Sequence, residues 1–265
     1  MSSKANPVMF IHGLWLHPTS WEPWEDRFRT AGYDVFSPSW PGDMSTVEEA
    51  RANPESVANR GIDEIVNHHA EIIEGLETPP ILIGHSFGGM FAEKLLGEGK
   101  GVAAVAIDAA QIKGVLALPL AALHSTLPVF KNPANKHRSV MLTAKQFHSS
   151  FGNALSEEES NDLYDRWVIP GPGRPLFEAA AANFSPHSPA KVDTAAERGP
   201  LLLIAGGEDR TVPKAITKST MKQYKQSPSD NELVEFPDRG HSLTIDAGWQ
   251  DVADTALTWL DDKGL

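Results

Sequence analysis

The stretch from Pro80 to Met90 constrains the fold more than any other part of the sequence. It reads Pro-Ile-Leu-Ile-Gly-His-Ser-Phe-Gly-Gly-Met, an apolar, β-rich run that leads into a serine flanked by glycines and then a helical pattern. This order predicts a buried strand, a tight turn and a helix. Ser86 would occupy the turn in a strained backbone conformation, and glycine at 84 and 88 would let strand and helix pack closely there. The pattern G-x-S-x-G in this setting indicates a nucleophile elbow, which exposes a serine hydroxyl.

Strand and helix patterns alternate over most of the chain. Short apolar runs predict buried strands at residues 8–11, 33–36, 80–83, 101–107, 201–205 and 232–236. The segments between them carry apolar residues at helical spacing, most clearly over residues 54–77. Strands that alternate with helices form a mostly parallel central sheet with helices on both faces. We therefore predict an α/β fold.

One long segment interrupts this alternation. Residues 111–190 hold many prolines, scattered helical patterns and no convincing strand, and such a connection is too long for a compact α/β unit. We predict an inserted helical lid at residues 111–190, between two parts of one core domain at residues 1–110 and 191–265. The lid would follow a strand that ends at Ile107, so it would lie above the carboxyl ends of the strands, where open α/β sheets bind ligands.

Composition excludes several classes of function. The 265 residues carry a formal net charge of -12, which disfavours nucleic acid and anionic membranes as partners. The sequence has no cysteine, which excludes disulfides, thiolate nucleophiles and cysteine-ligated metals. The N-terminal residues lack the apolar core of a signal peptide, and no apolar run approaches the roughly 20 residues that span a bilayer. We expect a cytoplasmic protein that needs no metal and no cofactor.

Two further side chains follow Ser86 in an informative order. Asp209 and His241 each come directly after a predicted strand. In that arrangement Ser86 would attack an acyl carbonyl, His241 would take its proton, and Asp209 would hold the imidazole and stabilise the imidazolium. Asp108 also lies at the exit of a strand and is the alternative acid. The backbone N–H of Phe87, directly after the serine, is a candidate donor to the oxyanion.

Four motifs together carry a resemblance to a known family. They are His12-Gly13-Leu14-Trp15, Gly84-His85-Ser86-Phe87-Gly88-Gly89, Gly207-Glu208-Asp209-Arg210-Thr211-Val212-Pro213 and Gly240-His241-Ser242. The set resembles the α/β-hydrolase superfamily over nearly the whole chain, and in particular its small esterase and hydroxynitrile-lyase-like members. The resemblance implies that the N–H of Leu14 is the second oxyanion donor, with Trp15 as the alternative.

These residues predict a serine hydrolase of the carboxylesterase or lipase type, which cleaves a carboxylic ester or lactone through an acyl-enzyme. A lyase or acyltransferase with the same triad is the alternative, and a non-catalytic protein that binds a small ligand is a second one. The substrate pocket is expected to be lined by Trp15 and Trp40, which follow strand ends, and by Leu116 and Leu120 of the lid. An apolar roof of this kind favours neutral, apolar substrates.

Overall fold

The centre of the fold is a parallel sheet of six strands. The computed structural model describes residues 4–117 and 120–265, and it describes side chains outside residues 118–124. In chain order the strands are β1 (Val8–Ile11), β2 (Val35–Phe36), β3 (Ile81–His85), β4 (Ala103–Ile107), β5 (Ser139–Val140), β6 (Gly171–Pro172), β7 (Leu201–Gly206) and β8 (Asn231–Phe236). The order across the sheet is β2-β1-β3-β4-β7-β8, and neighbouring strands are parallel. The predicted α/β fold is confirmed.

Helices cover both faces of this sheet. In the described residues they are α1 (Glu22–Thr30), α2 (Val47–Ala52), α3 (Ile62–Glu74), α4 (Phe87–Gly97), α5 (Leu120–Phe130), α6 (Ala144–Ser150), α7 (Glu157–Trp167), α8 (Arg174–Ala180), α9 (Lys214–Gln223) and α10 (Trp249–Asp262). Successive side chains of a strand point to opposite faces. On β3, accordingly, Leu82 packs with α3 and α4, whereas Ile81 and Ile83 pack with α1 and α10. The apolar strands are therefore buried on both faces.

The predicted helix over residues 54–77 is shorter in the structure. A single 3-10 turn covers Pro54–Val57, and α3 begins only after Gly61, which occupies the N-cap position. Within α3 the buried side chains are spaced three or four residues apart, at Ile62, Ile65, Val66, His69 and Ile73. This spacing forms the apolar stripe that packs on the sheet.

The chain leaves the sheet between β4 and β7, which are hydrogen-bonded neighbours. The intervening residues form α5 to α8, together with one antiparallel pair in which Ser139 faces Pro172 and Val140 faces Gly171. The expectation of no strand in this segment is therefore wrong, because a pair only two residues long leaves no readable alternation in the sequence. The boundaries proposed for the lid at residues 111–190 remain a prediction. Within the described residues, no helix combines the length and apolarity that crossing a membrane requires.

Candidate active site

Ser86 lies on a sharp turn between β3 and α4. Its backbone has φ 56° and ψ -120°, a sparsely populated conformation that the surrounding packing must hold in place. The Ser86 N–H donates to the carbonyl of Ile107 at 2.9 Å, and the Ser86 carbonyl accepts from the N–H of Ala110 at 2.9 Å. A β-carbon at Gly84 would lie 2.0 Å from the carbonyl oxygen of Gly88. The glycines therefore permit the close approach of strand and helix that the turn requires.

His241 and Asp209 form a buried hydrogen-bonded pair. His241 follows β8 and Asp209 follows β7, and the distance from His241 Nδ1 to Asp209 Oδ2 is 2.6 Å. The other oxygen, Asp209 Oδ1, accepts from the backbone N–H groups of Thr211 at 2.6 Å and Val212 at 2.8 Å. A proton on Nδ1 leaves Nε2 of the neutral imidazole as an acceptor. In the described part of the chain, His241 Nε2 is buried and has no hydrogen-bond partner.

Asp108 lies beside this pair without replacing Asp209. Its Oδ2 is 4.0 Å from His241 Nδ1, and its Oδ1 accepts from the N–H of Gly206 at 2.7 Å. Burial, followed by the charge of Asp209, raises the pKa of Asp108 well above its usual value. One carboxylate oxygen each of Asp108 and Asp209 and one imidazole nitrogen of His241 all lie within 4.8 Å of one another. The three side chains follow β4, β7 and β8, which are neighbours in the sheet.

Two further histidines, His85 and His12, make hydrogen bonds to the loops that carry the site. His85, at the end of β3, donates from Nε2 to the backbone carbonyl of His241 at 2.9 Å, and the two ring centroids lie 4.6 Å apart. Burial, and then His241, lower the pKa of His85 well below its usual value, so His85 is neutral. His12 Nδ1 donates to the carbonyl of Gly13 at 3.0 Å, and its ring stacks on Trp40. Both histidines therefore hold loops in place.

Two backbone segments, the start of α4 and the loop after β1, lie next to Ser86. Phe87 is the first residue of α4, so its N–H has no acceptor within the helix and lies at the positive end of the helix dipole. The loop after β1 approaches from the other side, because a β-carbon at Gly13 would lie 2.9 Å from the β-carbon of Ser86. Leu14 in this loop lines the same cavity as Ser86 and Phe87. These are the two positions predicted for the oxyanion donors.

Ser86 opens into a cavity of about 580 Å³. Its wall is mostly apolar and is formed by residues of the β1 loop, the elbow, the segment between β4 and β7, and the start of α9. The lining residues are Leu14, Trp15, Ser86, Phe87, Ala110, Gln111, Thr126, Phe130, Leu176, Phe177, Ala179, Ala180, Ala181, Phe184, Thr211, Val212 and Ile216. A cavity of this size and polarity suits a small or medium-sized uncharged organic molecule.

The model of the alpha/beta hydrolase family matches residues 8–255 of the sequence. The chain belongs to the alpha/beta-hydrolase family. The resemblance drawn from the four motifs is thereby confirmed. No curated protein sequence matches the chain.

Solved structures of other α/β-hydrolases share this fold at low sequence identity. A monoacylglycerol lipase from Paleococcus ferrophilus has a TM-score of 0.68 and 19% identity, over 98% of this chain and 95% of that one. A pyrethroid hydrolase from Sphingobium faniae has a TM-score of 0.66 and 15% identity, over 97% of both chains. A methylesterase from Arabidopsis has a TM-score of 0.65 and 14% identity, over 97% of this chain and 99% of that one. At these identities the similarity establishes the fold.

Of the four residues predicted to line the pocket of this α/β-hydrolase, Trp15 lines the cavity, whereas Trp40 and Leu116 do not. Trp15 lines the cavity, and its indole N–H donates to the carbonyl of Val140 at 2.9 Å. Trp40 is buried outside the cavity lining, because its ring stacks on His12 with centroids 4.7 Å apart. Leu116 is 80% exposed and does not line the cavity, whereas the preceding residue Val115 is buried. The side chain of Leu120 lies outside the described residues.

Several wall residues of the α/β-hydrolase were not predicted. Thr211 and Val212 lie two and three residues after Asp209, so the strand-exit argument that identified Asp209 also applies to them. Phe177 and Phe130 pack edge to face, with ring centroids 5.0 Å apart. These aromatic residues come from separate helices of the insertion, and nothing in their local sequence indicates that the two helices meet.

Proposed function

We propose that this α/β-hydrolase is a serine hydrolase that cleaves a neutral carboxylic ester or lactone through an acyl-enzyme. The observation that carries the proposal is the position of Ser86, on a strained turn that opens into an apolar cavity, at the same edge of the sheet as the hydrogen-bonded pair of His241 and Asp209. Structural neighbours named as a monoacylglycerol lipase and a methylesterase support cleavage of an ester. Chemistry of the carboxylesterase or lipase type follows from this assignment.

In the first half of the proposed reaction, Ser86 Oγ attacks the carbonyl carbon and His241 Nε2 accepts the hydroxyl proton. Asp209 remains ionised and stabilises the imidazolium through its 2.6 Å contact with Nδ1. The N–H groups of Leu14 and Phe87 donate to the negative oxygen of the tetrahedral intermediate. His241 then delivers its proton to the departing alcohol, which leaves an ester bond between the acyl group and Ser86.

In the second half, water attacks the acyl-enzyme while His241 accepts a proton from it. Collapse of the second tetrahedral intermediate releases the acid and returns the proton to Ser86 Oγ. His85 stays neutral throughout because burial lowers its pKa. It therefore places no positive charge beside His241 that would oppose formation of the imidazolium.

The proposed substrate is apolar because the cavity wall is apolar. Phe130, Leu176 and Phe177 come from the insertion between β4 and β7 and contribute large apolar surfaces to the wall. We propose that this insertion, at residues 111–190, acts as a lid over Ser86. The hydroxyl oxygen of Thr211 is buried at the wall and has no partner within the described part of the chain, so it is available to a polar atom of the substrate.

A panel of neutral esters, lactones and thioesters tests the proposed function. Wild type should release the free acid from at least one ester or lactone, whereas Ser86→Ala should lose nearly all turnover. Ser45→Ala, at an exposed serine outside the site, is the matched control and should retain full activity. Identification of the product by mass spectrometry separates hydrolysis from acyl transfer and from elimination. Full activity of Ser86→Ala would exclude the proposed mechanism.

A further inference from the structure

Two aspartate side chains occupy a site where the proposed mechanism uses only one. The side chains of Asp108 and Asp209 are both completely buried. Asp108 lies at the exit of β4 and Asp209 follows β7, two strands that are neighbours in the sheet. One carboxyl oxygen of each aspartate lies within 4.8 Å of the other. Two ionised carboxylates this close together in a buried site would repel each other, so one of the two groups holds a proton.

The hydrogen bonds around the pair indicate which group holds that proton. Asp209 accepts two backbone N–H groups on Oδ1 and the imidazole Nδ1–H on Oδ2. Asp108 accepts one N–H, from Gly206, and that bond is made by Oδ1. Asp108 Oδ2 is buried and, in the described part of the chain, has no donor directed at it. The donors therefore stabilise the charge on Asp209 and leave Asp108 Oδ2 as the position for a proton.

The titratable groups around Asp108 agree with this assignment. Asp209 approaches from the loop after β7, His241 from the loop after β8, and His85 from the end of β3. Burial and the negative charge of Asp209 both raise the pKa of Asp108 well above its usual value. His85 is neutral, so it contributes no charge that would ionise Asp108.

We infer that Asp108 is a positioning residue whose carboxyl O–H donates to Asp209 and fixes the carboxylate that orients His241. The inference deepens the proposed serine hydrolase function and rests on it. With one proton between them, the two carboxyl groups carry one negative charge where full ionisation would give two. His241 therefore faces one ionised carboxylate, that of Asp209, which is held between Asp108 and the backbone donors. The Nδ1–H of His241 remains directed at Asp209 Oδ2.

Infrared spectroscopy tests the shared proton without reference to activity. In protein labelled with carbon-13 at aspartate carboxyl groups, wild type at about pH 7 should show a label-sensitive carboxylic acid C=O band, since an ordinary aspartate is ionised there. Asp108→Asn should remove the band. Asp209→Asn should shift the band, because burial still raises the pKa of Asp108 while its O–H loses the charged acceptor. Glu93→Gln is the control and should leave the aspartate band unchanged.

The inference is wrong if wild type lacks this band, or if the band survives in Asp108→Asn. A band that does not shift in Asp209→Asn would also contradict it, since the Asp108 O–H would then make no bond to the Asp209 carboxylate. None of these results depends on turnover. Failure here would leave the serine hydrolase proposal intact, and inactive protein would leave the infrared test valid.

Kinetics of two substitutions at Asp108 test the positioning role. Residue 108 has φ 43°, which asparagine and glycine both tolerate. Asp108→Asn keeps an acceptor for Gly206 and a donor for Asp209, so kcat/KM should stay within about threefold of wild type. Asp108→Gly removes the donor, and kcat should fall about 10- to 100-fold with KM little changed, as expected for loss of one hydrogen bond to a charged group.

The pH profile separates positioning from simple structural support. In Asp108→Gly the midpoint of kcat/KM against pH should move upward, because an Asp209 carboxylate without its donor interacts more strongly with the imidazolium. Asp108→Asn should restore the wild-type midpoint. An unchanged midpoint in Asp108→Gly, or equal losses in the two variants, would overturn the positioning role. If Asp108→Gly does not fold, the Asn variant and the infrared bands still decide the matter.

Discussion

At the scale of single residues, the order of Ser86, Asp209 and His241 in the sequence predicts side chains at one edge of the sheet, and the fold pairs two of them, Asp209 and His241. Each follows a strand of one parallel sheet, and the carboxyl ends of parallel strands lie at the same edge. The sequence alone does not decide which aspartate pairs with His241, because Asp209 and Asp108 both lie at strand exits. The His241 Nδ1 atom is 2.6 Å from Asp209 Oδ2 and 4.0 Å from Asp108 Oδ2. The two distances differ by 1.4 Å, a difference that a sequence pattern does not encode.

Asparagine substitutions at the two aspartates should therefore have very different effects. Asp209→Asn should lower kcat by about 10⁴-fold, as the equivalent change does in a serine protease triad, because the wrong imidazole tautomer is favoured. Asp108→Asn should lower it far less. Steady-state kinetics on the best ester of the panel, with folding checked by circular dichroism, measure both. The reverse ranking would mean that Asp108 is the acid of the triad.

At the scale of secondary structure elements, apolar runs predicted the strands well and the insertion poorly. A run such as Leu201-Leu202-Leu203-Ile204 is buried on both faces, and this burial leaves a clear signal in a short stretch of sequence. The wall formed by the insertion depends on how separate helices meet. Leu116, predicted to line the pocket, is 80% exposed, whereas Phe184 lies at the cavity although 90% of it is exposed. Local periodicity gave no means of distinguishing the two positions.

Glu93, on α4, makes the stability of the protein depend on pH. It is buried against Tyr224, whose hydroxyl lies 2.7 Å from Glu93 Oε2, and the Arg198 guanidinium lies over the Tyr224 ring. Burial raises the pKa of Glu93 from 4.5 to about 8. The folded state thus holds a proton that the unfolded state releases above its lower pKa. The stabilisation is complete below the unfolded pKa and is lost as pH rises towards the folded pKa.

The unfolding free energy should therefore fall between about pH 5 and 8, with a contribution from Glu93 of at most about 1.4 kcal/mol per pH unit. Glu93→Gln keeps the shape of the side chain and removes its titration, so its unfolding free energy should fall less steeply over the same range. Urea denaturation at a series of pH values measures both slopes. Parallel curves for wild type and Glu93→Gln would show that Glu93 does not titrate in this range.

At the scale of the whole molecule, a cavity of about 580 Å³ with an apolar wall lies within a protein of net charge -12. The wall favours apolar groups, since each buried methylene stabilises binding by about 0.8 kcal/mol. The surface charge lowers the local concentration of anions. Sequence composition predicted the second effect, whereas the size of the cavity required the packed arrangement of the insertion on the core.

A chain-length series of neutral p-nitrophenyl esters should show this selectivity. The kcat/KM should rise by up to about fourfold per methylene, equivalent to about 0.8 kcal/mol, until the cavity is filled. Matched esters that carry a carboxylate should be poorer substrates. Phe177→Ala enlarges the cavity and should move the optimal substrate to a longer acyl chain. Leu116→Ala, outside the cavity lining, should leave this optimum unchanged. A kcat/KM that ignored chain length, or favoured the anionic esters, would contradict the proposed selectivity.

Mass spectrometry of the protein after reaction with a fluorophosphonate tests the central claim most directly, because this reagent phosphonylates an activated serine. Wild type should gain one phosphonyl group, localised to Ser86 by peptide sequencing, and should lose turnover in proportion to labelling. Ser86→Ala should remain unlabelled, and His241→Ala should react far more slowly because the hydroxyl has lost its base. Labelling at another residue, or complete labelling of Ser86 with turnover unchanged, would contradict the assignment of Ser86 as the nucleophile.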